Sequence, residues 1–206
     1  MTDRIMIDGV NWRAVIAAVE GRRVFLGIPA TMGAGYQDGP LSAWPAAAWP
    51  ELTRVDPDPV TISVFGLPRA RLYDVEHGDL TPITGAAVAL TEHLARRFPV
   101  LYVNRDNKAE LIGCCQARGL APGTDYGLDV ATLDGSFKDL DGTDLRSQSG
   151  VGAIQFLGAT DADPFDITLI TNPGWWLPPP PPTAPSWQAD GLQLAGELAA
   201  LLKAHQ

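Results

Sequence analysis

The chain has 206 residues, enough for one well-buried domain but few for a complete barrel of eight strands and eight helices. Its net charge of −9 and its 15 scattered Lys and Arg residues argue against a phosphate-binding surface, so we predict no nucleic-acid partner. We also expect no membrane partner and no signal peptide, because no apolar run reaches spanning length and the first residues carry no apolar leader.

Short apolar runs and helical patterns alternate along the first third of the chain. Residues 5–8 predict a buried strand, 12–20 a helix ended by Gly21, and 24–28 a second strand. The stretch 29–59 is rich in Gly, Pro, Ala and Trp and has no clear period. We therefore predict a long loop there, of the kind that usually serves function.

Two β-rich runs, 60–65 and 69–75, follow with no room for a helix between them. Thr81 and Pro82 then predict the start of a helix that runs to about residue 98. Asp106 or Asn107 is expected to cap the next helix, which Gly119 closes. The remaining predicted strands are 100–103, 126–133, 151–157 and 165–170.

Eight predicted strands that alternate with helices indicate an α/β protein with parallel pairing. The fold class that follows is a trimmed, TIM-like (β/α)8 barrel that lacks several helices. It occupies residues 1–172, and a Pro-rich linker follows at 173–188. Residues 189–206 predict a C-terminal amphipathic helix for docking or oligomerisation, whose leucines either meet a partner or fold back on the barrel.

Asp74 and Glu76 stand at the end of the fourth predicted strand. They are two residues apart, so on an extended strand both side chains share one face, with Cα atoms roughly 6.6 Å apart. Two acids in one dry pocket cannot both ionise easily, so one keeps a proton and can act as a general acid. Asp-x-Glu also occurs often by chance in solvated loops, which is the competing interpretation.

Other acids end or enter predicted strands. Asp8 ends the first strand, where it can belong to a site or simply cap the following helix. Asp134 follows the sixth strand and Asp166 lies within the eighth. Asp129, inside the sixth strand, can face either a helix or the barrel interior.

The tryptophans, Trp12 among them, can stack on sugar rings, although core packing is the commoner role of any single Trp. No His and Cys set has metal-ligand spacing, so we predict no metal and no cofactor.

The strand-end acids, together with three later segments, resemble the glycoside hydrolase family 25 lysozymes and related barrels. Those segments are Tyr102 in strand five, 153–156 in strand seven and 165–167 in strand eight. The resemblance covers residues 1 to about 172. It implies the loss of helices, because that family's barrel lacks several. The chain departs from the family after Asp8 and at Asp129, where an aromatic residue is expected.

The resemblance implies Glu76 as the general acid, Asp74 as its partner, and Asp8 and Asp166 as supporting acids, with peptidoglycan as the substrate class. We further predict four substrate-binding residues: Tyr102, Gln155, Trp12 and Asp134.

Residues 102–108 and the Pro-rich exit are similar to barrels encoded among the tail genes of phages that infect actinobacteria. The predicted function is therefore a minor tail protein of the virion whose lysozyme-like barrel acts on cell-wall glycan at the host surface. Its expected partners are that glycan and, through 189–206, other tail proteins or a second copy. The alternatives are a catalytically silent structural or glycan-binding tail component, and a free cell-wall muramidase.

Overall fold

A computed structural model describes residues 2–39, 42–76 and 78–176. In it, eight strands form one closed barrel, and a ninth short strand extends one of them as a hairpin. The strands are β1 Arg4–Asp8, β2 Val24–Phe25, β3 Ile28–Tyr36, β4 Val60–Ser63, β5 Leu72–Asp74, β6 Val100–Asn104, β7 Gly127–Ala131, β8 Val151–Leu157 and β9 Asp166–Ile170.

The predicted barrel is confirmed, but it is not a barrel with a helix on every crossover. The described residues contain four α-helices: α1 Trp12–Glu20, α2 Ala48–Val55, α3 Pro82–Leu94 and α4 Arg105–Gln116. The absence of a helix between β4 and β5 is confirmed. These strands have only four and three residues, so the short connection can return the chain to the start of a parallel neighbour.

The strands follow one another around the barrel in the order β1-β3-β4-β5-β6-β7-β8-β9, and β9 closes the ring on β1. Parallel pairing is confirmed for the barrel strands β1 and β3 to β8 but is wrong for β9, which runs antiparallel to both neighbours, and for the short β2, which is antiparallel to β3. Retracing the seven-residue β8, about 23 Å at 3.3 Å per residue, would consume nearly the whole connection 158–165. The chain therefore turns back directly, and β9 starts at the barrel end where β8 finishes.

Alternating side chains divide the interior into a lumen and an outer core. On β6, Val100 and Tyr102 face the lumen, whereas Leu101 and Val103 pack outward under α3 and α4. On β1, Met6 faces the lumen while its neighbours pack outward against α1. The period of two along each strand produces this division.

The predicted long loop at 29–59 is wrong, because it contains most of β3 and all of α2. The outward positions of β3 are Gly33 and Gly35. A Cβ atom at Gly33 would lie 2.5 Å from the Leu52 side chain, and one at Gly35 would lie 2.7 Å from the Trp44 ring. Glycine lets α2 and Trp44 pack directly on the strand backbone, and it also conceals the strand pattern in the sequence.

Thr81 and Pro82 begin α3 as predicted, with a capping box between Thr81 and Thr84. The cap of α4 is Asn104 rather than Asp106 or Asn107: its Oδ1 accepts a hydrogen bond from the Asn107 amide at 2.9 Å. The helix begins directly after β6, so the last strand residue is also the cap.

Residues 173–176 close the barrel at the end where β1 and β3 to β8 begin. Trp176 is 2% exposed and packs in the lumen, and Trp175 lies against Gly127 and Gly152. The segment assigned to the linker thus begins with a short turn whose Pro173 and Trp176 are buried against the barrel. The rest of that linker and the predicted helix at 189–206 lie outside the described residues. Among the residues that are described, no helix is long and apolar enough to span a bilayer.

Candidate active site

A pocket opens at the barrel end where β1 and β3 to β8 finish, which we call the mouth. Its cavity volume is about 50 Å³, well below the range of about 300–1,000 Å³ for ligand pockets. Four of the described lining residues are acids, and none of the described ones is basic. The lining residues are Asp8, Tyr36, Ile62, Leu72, Asp74, Glu76, Tyr102, Gln155 and Asp166.

Six of the eight predicted site residues line this pocket: the four acids, Tyr102 and Gln155. Asp8 and Asp74 are the last residues of β1 and β5. Asp166 is the first residue of β9, and because β9 is antiparallel its beginning lies at the mouth, directly opposite Asp8 in the pairing register. The reversed strand thus brings a fourth acid to the same end of the barrel.

Trp12 and Asp134 do not line the pocket. Trp12 is half-buried against the outer core, with Arg13 stacked over its ring at 4.3 Å. Asp134 pairs with Arg105 at 2.9 Å on the surface. Its pKa is lowered to about 2, chiefly by hydrogen bonds from Ser136 and also by Arg105.

The chain after β5 folds back over the acid pair. The Leu80 amide donates to the Asp74 carbonyl at 3.3 Å, and the Asp79 amide donates to the Glu76 carbonyl at 3.1 Å. Gly78 makes this reversal possible with a φ of +103°. As a result, one carboxylate oxygen from each of Asp74, Glu76 and Asp79 lies within 4.8 Å of the others.

Within the described part of the chain, this trio is the group of acids whose spacing could hold a metal ion. Clustered acids are also common without an ion, because such groups can instead keep protons. The sequence interpretation missed Asp79, since its role depends on the chain reversal at Gly78.

Burial and mutual repulsion hold protons on the pocket acids. Burial, followed by the charge of Glu76 and then Asp79, raises the pKa of Asp74 to about 8. The pKa of Asp8 is raised well above its usual range by burial and then by Asp166. No described residue of the pocket wall is basic, so nearby acids that ionise repel one another, and each raises the pKa of its neighbours.

Glu76 is the more exposed member of the acid pair. Burial, then the charges of Asp79 and Asp166, raises its pKa. Asp166 also has a raised pKa from burial, partly opposed by the Ala159 amide, which donates to its Oδ1 at 2.7 Å. Glu76 therefore combines a raised pKa with access to a bound molecule.

Two phenols face the acids. Burial, then the charges of Asp8 and Asp74, raises the pKa of Tyr36, and burial with Glu76 and Asp74 raises that of Tyr102. Both hydroxyls therefore stay protonated and can donate hydrogen bonds to a ligand. Tyr36 was missed because β3 was taken for a loop. The signal available was the spacing of Met32, Ala34 and Tyr36 at every second position.

Asp129 faces the lumen, which resolves the choice that the sequence left open. It is 1% exposed, and burial raises its pKa to about 7. It does not line the pocket, but its charge acts on Asp8 and Asp74.

A wider groove at the opposite barrel end contains acids that already have partners. Asp56 accepts from the Gly33 amide at 2.8 Å, and Asp58 pairs with Arg71 at 3.0 Å. These contacts are structural, so the mouth pocket is the better candidate for chemistry.

Comparisons of the chain with protein-family models, curated proteins and solved structures find no match. The case for a function therefore depends on the pocket. Its acids can donate a proton and supply a negative charge, and its phenols can fix a polar ligand. The cysteines, Cys114 and Cys115, lie on α4 outside the pocket and take no part.

Proposed function

We propose that the protein is a glycoside hydrolase of the family 25 type, acting on the glycan strands of bacterial cell walls. The observation that carries the proposal is the convergence of Asp8, Asp74, Glu76 and Asp166 with two phenols in one pocket. Glycosidic cleavage needs a protonated carboxyl and a carboxylate beside an oxocarbenium-like centre. A set of proton-sharing acids supplies both.

The fold supports the same proposal. Seven barrel strands follow one another in chain order and run parallel, as in a (β/α)8 barrel, and the acids occupy the end where such barrels carry their active sites. We therefore regard the structure as a trimmed TIM-like barrel that has lost the helices between β4 and β5 and around β9.

In the proposed reaction, Glu76 donates its proton to the glycosidic oxygen. Asp74 is the neighbouring carboxyl; it is protonated in most molecules below about pH 8, and in its ionised form its negative charge offsets the positive charge that develops at the anomeric carbon. Asp8 and Asp166 lie on the opposite wall of the pocket, and the Tyr36 and Tyr102 hydroxyls orient the sugar. Once the leaving group has departed, Glu76 accepts a proton from the attacking water.

Spacing favours retention of configuration. One carboxylate oxygen of Asp74 and one of Glu76 lie within 4.8 Å of each other, which is less than the roughly 6.5–9.5 Å between the carboxyl groups of inverting enzymes. The covalent partner of the sugar is then either Asp74 or the substrate's own acetamido oxygen. Trapping with a 2-fluoro sugar distinguishes them, because only attack by Asp74 labels the protein.

The test is Glu76→Gln in the full chain, assayed for release of reducing ends from purified cell-wall glycan. We expect a loss of about 10²–10⁴-fold, the usual contribution of a general acid. Glu110→Gln, the same substitution on an exposed position of α4, is the matched control and should keep full activity. Full activity of Glu76→Gln would rule out the assigned acid.

A second candidate is a barrel that binds glycan without cleaving it. The observation that favours it is Asp129, which occupies a lumen position where the family 25 resemblance leads us to expect an aromatic residue. In that case wild type and Glu76→Gln bind glycan equally and neither releases reducing ends. The proposed setting, a virion tail with tail proteins or a second copy as partners of residues 189–206, stays a prediction.

A further inference from the structure

Asp129 is a buried acid that the proposed reaction does not use. Its neighbours on β7, Leu128 and Val130, pack in the outer core, so its side chain enters the lumen. Neither carboxylate oxygen makes a hydrogen bond of ordinary geometry with a described residue, although the nearby Gln155 backbone amide partly opposes the rise of its pKa. Burying a charged carboxylate without partners is costly, so an acid in this position stays protonated to a higher pH than a solvated one.

The pairing register connects Asp129 with the acid pair. Asp74 pairs with Tyr102, and Tyr102 pairs with Asp129, so the three residues form one row across β5, β6 and β7. Adjacent strands lie about 4.8 Å apart, which puts the Cα atoms of Asp74 and Asp129 about 10 Å apart with both side chains directed inward. Oδ1 of Asp74 is also buried without a partner.

Among the described residues, every titratable group that faces this part of the lumen is an acid or a phenol. They are Asp8 on β1, Tyr36 on β3, Asp74 and Glu76 at β5 with Asp79 in the turn after them, Tyr102 on β6 and Asp166 on β9. β4 and β8 contribute Ile62 and Gln155, which do not titrate. A negative charge on Asp129 therefore meets no compensating cation among the described residues of the pocket wall, and it acts against ionisation of Asp8 and Asp74.

We propose that Asp129 is a positioning residue for the acid pair: it shares protons and negative charge with Asp8 and Asp74, and so determines the pH at which Asp74 becomes an anion. Asp129 does not touch the substrate. Without the charge of Asp129, Asp74 loses its proton at a lower pH. For charges about 10 Å apart at an effective dielectric constant near 20, the change is about one pH unit. The catalytic consequence rests on the proposed function, but the sharing of charge does not.

The direct test is an NMR titration of the carboxyl carbons in the full chain, with ¹³C-labelled Asp, for wild type and Asp129→Asn. We expect the wild-type Asp129 signal to stay at its protonated position until near pH 7. In Asp129→Asn, the midpoint of Asp74 should fall by about one pH unit. A wild-type Asp129 that ionises near pH 4, or an Asp74 midpoint that does not move, would overturn the inference. If the variant does not fold, the wild-type titration alone still tests whether Asp129 stays protonated until near pH 7.

The kinetic test is the pH profile of kcat/KM on glycan. Asp129→Asn should move the acidic limb about one pH unit lower and keep the maximal rate within about threefold of wild type, while Asp106→Asn on the exposed face of α4 should leave the profile unchanged. If Asp129→Asn yields less active protein but leaves the acidic limb of the profile where it is in wild type, the role of Asp129 is purely structural. If wild type does not hydrolyse glycan, the proposed function fails, whereas the NMR titration still tests the sharing of charge.

Discussion

Asp74 should reduce the stability of the folded protein at neutral pH, and Asp74→Asn should remove that effect. The side chain is 4% exposed, and burial with neighbouring acids raises its pKa from 3.8 to about 8. The native state therefore keeps a proton that the unfolded chain releases near pH 4. Because the native state binds more protons, stability is greatest below about pH 4 and falls as the pH rises to about 8.

The magnitude follows from the interval over which only the unfolded chain is ionised. Between 3.8 and pH 7 this interval is about three pH units, and at 1.36 kcal/mol per unit it lowers the free energy of unfolding by about 4 kcal/mol. Asn cannot ionise, so this loss disappears in the variant. The cost of burying the amide does not depend on pH and cancels when the two pH values are compared.

The assay is urea unfolding of wild type and Asp74→Asn at pH 4 and pH 7. Between these pH values the variant should retain about 4 kcal/mol of unfolding free energy that wild type loses. Asp134→Asn is the control, because the lowered pKa of that exposed acid affects stability only below about pH 4, so this variant should follow wild type between pH 4 and pH 7. Parallel pH dependences for wild type and Asp74→Asn would refute the view that Asp74 is a buried, protonated acid.

Three further substitutions test the floor, the wall and the ligand contacts of the barrel. Trp176→Ala should lower the unfolding free energy, measured in urea, by about 3–5 kcal/mol, because it leaves a cavity at the closed end of the lumen. Gly33→Val should lower it by about 1–3 kcal/mol or more, since its Cβ would collide with Leu52; an unchanged midpoint would mean that α2 does not pack there. Tyr36→Phe should reduce kcat/KM on glycan by about tenfold, in line with the loss of one hydrogen bond of about 1.5 kcal/mol, and leave the midpoint of unfolding within error.

The sequence was sufficient for the parts of the fold whose pattern is local. Strands β6 and β8 are near-continuous apolar runs, and α3 has a strong start signal in Thr81 and Pro82. β3 was not predictable in the same way. Its outward-facing Gly33 and Gly35 contact α2 and Trp44, which are distant in sequence. Because these positions carry no side chain, the sequence lacks the alternation of residue types that usually marks a strand.

The site was partly predictable for a similar reason. Acids at strand ends meet at the mouth of any barrel, so Asp8, Asp74 and Glu76 could be grouped from the sequence alone. The position of Asp166 was expected on a parallel strand, but it reaches the mouth only because β9 is reversed. Asp79 depends on the turn at Gly78, and that contact has no sequence signature.

Hydrolysis in ¹⁸O-labelled water tests the central claim most directly. Purified cell-wall glycan is incubated with the full chain in H₂¹⁸O, and the products are analysed by mass spectrometry. The account predicts fragments with one ¹⁸O atom at each new reducing end, formed by wild type and Glu110→Gln but lost with Glu76→Gln. Intact glycan with wild type, or fragments without ¹⁸O, would contradict the assignment of the mouth acids to glycoside hydrolysis.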